Sequence, residues 1–312
     1  MTNPSAPVPH QSRQQRLAGH PLSRRIFIGV GVGVAASLSV APSILARQGQ
    51  SSLTVVVGGL DTRTPEEPEN TDVLMVARID FDRPGVRALS IPRDLLVEIP
   101  GVGFDKVNRA YDHGSKAAGG DWEAGASLTI ETIAVNFGLD VDGIVLTNFE
   151  GFADVVDDLG GVDLVNPYEV YDAEYPTPDY SYKEIYFPAG EIHLDGEDAL
   201  AFARTRHQDG DDGRVMRQQL VLLALLAKAQ DPANLPRLAK VVREAREAVR
   251  TDLDRDVQAN LIALAADLDA DDVVFGTITQ YLWGDTTASG MWVYQGDWSV
   301  LPGTVQSFLV GN

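Results

Sequence analysis

The chain has 312 residues, 44% of them hydrophobic, and a formal net charge of −20, so it can bury a full core. The absence of cysteine excludes disulfides, thiol catalysis and Cys-ligated metal sites. Residues 1–50 hold five arginines and no acid, leaving 20 basic against 45 acidic residues elsewhere, a balance that nucleic-acid phosphates would repel.

Ser23-Arg24-Arg25-Ile26-Phe27-Ile28 opens an apolar run from Ile26 to about Ala46, broken only by Gly, Ser and Pro42. The run is about twenty residues, enough for a bilayer-spanning helix. Arg13, Arg16, Arg24 and Arg25 precede it, which places that end in the cytoplasm. Paired arginines before a mildly apolar stretch suit a twin-arginine-like export signal. The same residues would equally serve as an uncleaved anchor. Ser39-Val40-Ala41 is a better small-x-small cleavage site than one after Ala46, because Ile44 is not small. Residues 1–50 are therefore expected to be a cytoplasmic N-terminus with an export signal or membrane anchor, and residues 51–312 one extracytoplasmic domain.

In that domain, Leu53-Thr54-Val55-Val56-Val57 reads as a buried strand and residues 61–70 as a loop rich in Pro and Glu. Residues 73–79 and 86–91 read as a hairpin turning at Arg83-Pro84-Gly85. Residues 127–137 predict a helix with Ser127 as N-cap, 141–147 a strand, and 149–159 a helix stopped by Gly160-Gly161 before a strand at 162–165. Residues 168–187 hold six tyrosines and two prolines and read as a long surface excursion. Helices are expected at 197–203, 215–229, 236–250 and 257–268, and late strands at 273–278 and 291–294; 304–310 is ambiguous. Alternating strands and helices argue for a layered α/β domain.

Five arginines stand out in this acidic body: Arg93 after Ser90-Ile91-Pro92, then Arg204 and Arg206, then Arg214 and Arg217 after Asp211-Asp212-Gly213. The planar guanidinium fork pairs bidentately with phosphate oxygens. Pro92 stiffens the approach to Arg93, whose more ordinary role is a surface salt bridge to Asp94 or Glu98. Arg214, Arg217 and Gln218 are expected in the first turn of a helix, where positive charge is unfavourable unless an anion binds. The competing reading is a solvated basic patch balanced by Asp209, Asp211 and Asp212. Asp61 and Asp72 lie at neighbouring strand ends, so they are candidate ligands of a hard cation such as Mg²⁺. Each would also serve as a plain loop or cap residue. The apolar helix around Leu220-Val221-Leu222-Leu223 is either core or the wall of an apolar cavity.

Taken together, Asp61-Thr62-Arg63, Asp72, residues 89–94, Lys106-Val107-Asn108-Arg109-Ala110-Tyr111, residues 157–162, Leu194-Asp195-Gly196 and residues 204–219 resemble the LytR-CpsA-Psr family of cell-envelope proteins. The resemblance implies a three-layer α/β/α sandwich with a central mixed sheet and an apolar lipid-binding groove. It implies Mg²⁺-assisted transfer of an anionic glycopolymer from a polyprenyl-pyrophosphate carrier to peptidoglycan at the cell membrane. By position, Arg93, Lys106, Arg204, Arg206, Arg214, Arg217 and Gln218 would hold the pyrophosphate, and Asp61 and Asp72 the metal. Asp94 or Asp211 would take the acceptor proton. The family often has an arginine two residues before the second aspartate and a threonine after it. Asn70-Thr71-Asp72-Val73 supplies neither, so one phosphate contact is expected to be missing. Hydrolysis of the same lipid and non-catalytic binding of envelope lipids or polymers remain the alternatives.

Overall fold

The β-branched run near the start of the domain grows into β1 (Ser52–Asp61), which pairs antiparallel with β2 (Asn70–Asp80); β2 then turns into β3 (Gly85–Ser90). The expected hairpin is this β2–β3 pair. In the computed structural model, the described residues are 51–311 apart from 62–67, 178–180, 235–236, 238–239 and 242–248. The expected export or anchor segment, Thr62 and Arg63 of the first motif, and most of the helix expected over 236–250 lie outside them. Among the described residues no helix is long and apolar enough to cross a membrane.

The central sheet has six strands in the order β11-β6-β1-β2-β3-β12. Here β6 (Gly143–Asn148) runs parallel to β1, β12 (Val273–Thr277) runs parallel to β3, and β11 (Val249–Thr251) closes the edge antiparallel to β6. Residues 249 and 250 were expected to end a helix. Instead they are strand, because β-branched Val249 and Thr251 pair with the open edge of β6.

Helices cover both faces of the sheet, a mixed α/β sandwich as expected. On one face, α1 (Ala110–Ala117), α2 (Trp122–Phe137) and α7 (Leu301–Val310) bury Ile133, Phe137 and Leu301 against Val56, Val76 and Leu89. On the other, Val257, Leu261 and Leu264 of α6 (Arg255–Asp267) pack on Val55, Ala77 and Ile79. The α2 helix starts five residues before the expected Ser127. Its cap is Asp121, whose carboxylate accepts the Glu123 N–H at 3.1 Å. Gly125 sits inside the helix because a Cβ there would lie 2.8 Å from the Tyr111 carbonyl. The ambiguous segment 304–310 belongs to α7, which ends on Gly311 at φ +80°.

A second core lies beside this sandwich. It is built from α3 (Phe149–Asp158), β7 (Val162–Asn166), β8 (Val170–Pro176), β9 (Tyr182–Phe187), β10 (Gly190–Leu194), α4 (Gly196–Arg204) and α5 (Gly210–Gln230). Gly160 and Gly161, at φ +80° and +78°, stop α3 as expected. The tyrosine-rich excursion is a hairpin, β8–β9. Val221, Ala224 and Leu225 of α5 belong to this core, so much of that helix's apolar run is packing. Two short hairpins complete the fold: β4 (Leu96–Ile99) with β5 (Gly103–Lys106), and β13 (Leu282–Thr286) with β14 (Trp292–Gly296).

Candidate phosphate site

Strands β1, β3, β6 and β12 all end at one edge of the sheet, and β2 begins there. The carboxyl ends of such strands are where open α/β sheets bind ligands. Asp61 is the last residue of β1. Asp72 owes its position to a bulge: Gly59 pairs with Val73 and Leu60 with Thr71, which leaves Asp72 as the extra residue on β2. A bulge breaks the alternation of the strand and re-aims a side chain.

Arg93 follows β3 and extends Nη1 to Asp72 Oδ2 at 2.6 Å, with Nε 3.4 Å from Asp94 Oδ2. Arg93 thus makes the expected ion pair to Asp94, though its nearer partner is Asp72 and not Glu98. Burial opposes the Arg93 charge, but Asp72 and then Asp94 outweigh it and raise its pKa. Asp94 is a hub: it accepts from Lys106 Nζ at 2.6 Å and lies 3.8 Å from Arg206 Nη1. Burial would raise the Asp94 pKa, yet the Lys106 hydrogen bond and the Arg93 charge hold it below the usual carboxylate value.

The second and third arginine segments meet across the same space. Arg204, last residue of α4, lies 4.3 Å over the Phe149 ring, donates to the Tyr175 hydroxyl at 3.4 Å and reaches Asp61 at 3.4 Å. Arg206 bridges Asp94 and Asp211, the latter at 4.0 Å. Arg214 pairs with Asp211 one turn back at 2.9 Å. Burial disfavours its charge and lowers its pKa, despite Asp211, and its buried Nε has no hydrogen-bond partner. A donor held dry and unpaired in this way suits an arriving phosphate oxygen.

The α5 helix begins a turn earlier than expected. Asp211 and Asp212 occupy its first turn, and Arg214, Arg217 and Gln218 follow. The acids suit the positive end of the helix, so the unfavourable charge inferred from the sequence is absent. Arg217 differs from the other four arginines. It has 0% exposure, donates to the Phe202 carbonyl at 2.8 Å and to the Thr205 carbonyl, and pairs with Asp209. It faces the backbone that carries Arg204 and Arg206, not the open space. Gln218 lines the space and donates to the Ala203 carbonyl at 3.2 Å.

The result is a cavity of about 190 Å³ lined by Asp72, Arg93, Arg204, Arg206, Arg214 and Gln218. Val73, Phe149, Tyr175 and Pro176 form its apolar wall. It is smaller than the roughly 300 Å³ at the low end of pockets for drug-sized ligands, and suits a charged head group rather than a whole lipid-linked glycan. Lys106 and Asp211 stand beside it, joined through Asp94 and Arg206.

Sequence reasoning missed three groups. Tyr175 and Asp172 come from the tyrosine-rich hairpin. Asp172 accepts from Thr205 Oγ1 at 2.5 Å and contacts His207 Nδ1 at 2.8 Å, which ties that hairpin to the Arg204–Arg206 turn. Tyr294 comes from β14. Its N–H donates to the Asp94 carbonyl at 2.8 Å, and its hydroxyl lies within the field of the Asp211 carboxylate. Burial, then the Asp211 charge, pushes the Tyr294 pKa up to about 12.

Oxygen donors suited to a hard cation gather at the Asp61–Asp72 end. Asn70 is the cross-strand partner of Asp61, and its buried Oδ1 has no hydrogen-bond partner. Among the described residues there is no cluster of three or more His, Asp or Glu side chains able to hold a metal by themselves. Two carboxylates and one carboxamide oxygen fit an ion that, like Mg²⁺, keeps water or phosphate in the rest of its shell.

The model of the LytR_cpsA_psr family matches residues 34–303. The polyisoprenyl-teichoic acid–peptidoglycan teichoic acid transferase TagV of Bacillus subtilis (strain 168) is 36% identical over 198 residues, covering 62% of this chain and 47% of that protein. TagU of Halalkalibacterium halodurans, described in the same words, is 33% identical over 211 residues, covering 66% and 63%. The chain thus spans between about half and under two thirds of these curated relatives. The crystal structure of B. subtilis TagV superposes with a TM-score of 0.66 at 26% identity, covering 83% of this chain and 98% of that one. TagT bound to LIIa-WTA gives 0.61 at 25% identity, covering 90% and 100%. The order of the arginine segments, the sheet edge at which they meet and the extent of the match lead to one conclusion: the chain belongs to the LytR_cpsA_psr family.

Proposed function

We propose that this protein transfers an anionic glycopolymer from a polyprenyl-pyrophosphate carrier to a hydroxyl of peptidoglycan, on the outer side of the membrane, with Mg²⁺ assisting. The observation that carries this is the convergence of Arg93, Arg204, Arg206 and Arg214 on one small cavity. The relatives' activity on polyisoprenyl-linked teichoic acid and peptidoglycan supports it. So does TagT bound to LIIa-WTA.

In this reading the carboxylates keep the arginines apart and oriented until the pyrophosphate replaces them as partner. The arginines and Lys106 then offset the charge that builds on the phosphoryl oxygens. The acceptor hydroxyl oxygen attacks the phosphorus that bears the glycan. Its bond to the bridging oxygen breaks, polyprenyl phosphate leaves, and the hydroxyl proton passes to a carboxylate. Asp94 and Asp211 are the two carboxylates placed to take it, and at Asp94 the Lys106 hydrogen bond and the Arg93 and Arg206 charges reduce basicity. Arg217 acts indirectly, by holding the Arg204–Arg206 backbone. Asp61 and Asp72, with Asn70 nearby, would hold Mg²⁺, which supplies charge neutralisation at the phosphates. The lipid chain would leave the cavity along Val73, Phe149 and Pro176. Residues 1–50 would anchor or export the protein.

The test is incubation of the purified chain with polyprenyl-pyrophosphate-linked sugar and peptidoglycan fragments, with and without Mg²⁺. Sugar phosphate on peptidoglycan, lost on chelation, is the expected result. Lipid monophosphate without glycan transfer would make the protein a hydrolase, and binding without turnover would make it a carrier-lipid binder.

A further inference from the structure

The β13–β14 ribbon lies outside every motif that marks the phosphate site, yet it is pinned to it. Leu95 and Tyr294 form an isolated bridge, and the Tyr294 N–H holds the Asp94 carbonyl at 2.8 Å. The backbone of Asp94 is thus tied to that strand, and the Asp211 charge acts on the Tyr294 hydroxyl. Trp292 stands two residues earlier, on the same face of that strand. Its ring meets Tyr294 edge-on, with centroids 4.8 Å apart at 71°. Opposite Tyr294 is Gly284, where a Cβ would come within 3.2 Å of the Trp292 ring. The bare glycine backbone lets the indole lie across the ribbon, while 46% of Trp292 remains exposed.

A rigid indole, braced on one side by Tyr294 and floored by Gly284, presents its free surface to solvent on the strand that holds the Asp94 backbone. The axial C–H groups of a pyranose form an apolar, faintly positive face that complements the negative face of an aromatic ring. The position also separates the two substrates. The cavity is lined from the Asp72 and Arg204 side and touches neither Trp292 nor Tyr294. The ribbon flanks Asp94 and Asp211, the side from which an acceptor hydroxyl must come.

We propose that Trp292, seated over Gly284 and braced by Tyr294, is the stacking platform for a pyranose ring of the acceptor glycan. It would then be a specificity-determining residue for the acceptor. This inference rests on the transferase reading of the same site.

The experiment measures transfer by the full chain at varied acceptor and varied donor for wild type, Trp292→Ala, Trp292→Phe and Trp283→Ala. Trp283 is 52% exposed and belongs to the opposite face of the ribbon, which makes it the control. Trp292→Ala should raise the acceptor KM roughly three- to tenfold and leave the donor KM unchanged. Trp292→Phe should retain most of the wild-type behaviour, and Trp283→Ala all of it. An unchanged acceptor KM in Trp292→Ala overturns the proposal, and so does a rise confined to the donor KM, which would place the sugar on the carrier. Binding of soluble glycan fragments by calorimetry separates this outcome from failure of the transferase reading. Weaker glycan binding by Trp292→Ala, with polyprenyl-pyrophosphate binding intact, supports the platform even without turnover. No glycan binding by wild type overturns it.

Discussion

Arg93 sits 2.6 Å from Asp72 and 3.4 Å from Asp94, with 19% of its side chain exposed, so it is oriented but still reachable. Replacing it with alanine removes a donor aimed at developing phosphoryl charge. Turnover of Arg93→Ala should fall by about a hundredfold or more, with circular dichroism unchanged; wild-type turnover would remove Arg93 from the site. The two acidic candidates separate in the same assay. Asp211→Asn should lose turnover and keep pyrophosphate affinity, whereas Asp94→Asn frees three cations and should alter affinity as well. Arg217 belongs to stability: Arg217→Ala strands Asp209 and two carbonyls, and denaturant unfolding should show a loss of about 3–5 kcal/mol. The motif residues were legible because arginine beside a Pro-stiffened strand end or an acid-rich turn is chemically unusual. Tyr175, Asp172 and Tyr294 were not, since nothing local distinguishes them from other half-buried polar residues of hairpins.

At the level of elements, the α5 start shows how a loop-like string can be helix. Asp211-Asp212-Gly213 suggests a turn, yet the helix begins at Gly210. Gly213 is needed there because a Cβ would fall 1.9 Å from the Asp209 carboxyl, the partner of Arg217. Gly213→Ala should push Asp209 off Arg217 and cost about 1–3 kcal/mol in denaturant unfolding, despite alanine's better helix propensity. A gain in stability would show that the turn yields without effect. The strands of the main sheet other than β11, and the Gly160-Gly161 stop, could be read from apolar runs and glycine. The expected helix fell five residues short of α2 because Gly125 lies in its first turns, and that glycine is explained only by the close packing of Tyr111.

For the whole molecule, acid titration is the sharpest handle. Asp94 and Asp172 both have lowered pKa values: burial opposes the shift, while Lys106 and Arg93 produce it at Asp94 and Thr205 and His207 at Asp172. A carboxylate with a depressed folded-state pKa stabilises the fold above its ordinary pKa of about 3.9, and that contribution is lost as pH falls through the folded-state value. The stability gap between wild type and Asp94→Asn, measured by denaturant unfolding, should therefore be full near neutral pH and close below about pH 4. A gap that widens in acid would contradict the assignment.

The residues alone were enough for the family, the layered α/β class and most of the charged set, because those depend on local chemistry: apolar periodicity, turn residues, and arginines where acids prevail. Which of those arginines face the cavity was decided only in three dimensions. A bulge aims Asp72, Arg217 turns inward to backbone carbonyls, and a C-terminal ribbon brings Tyr294 to Asp211. Each depends on a pairing or a packing contact between segments distant in the chain, and no window of neighbouring residues contains that information.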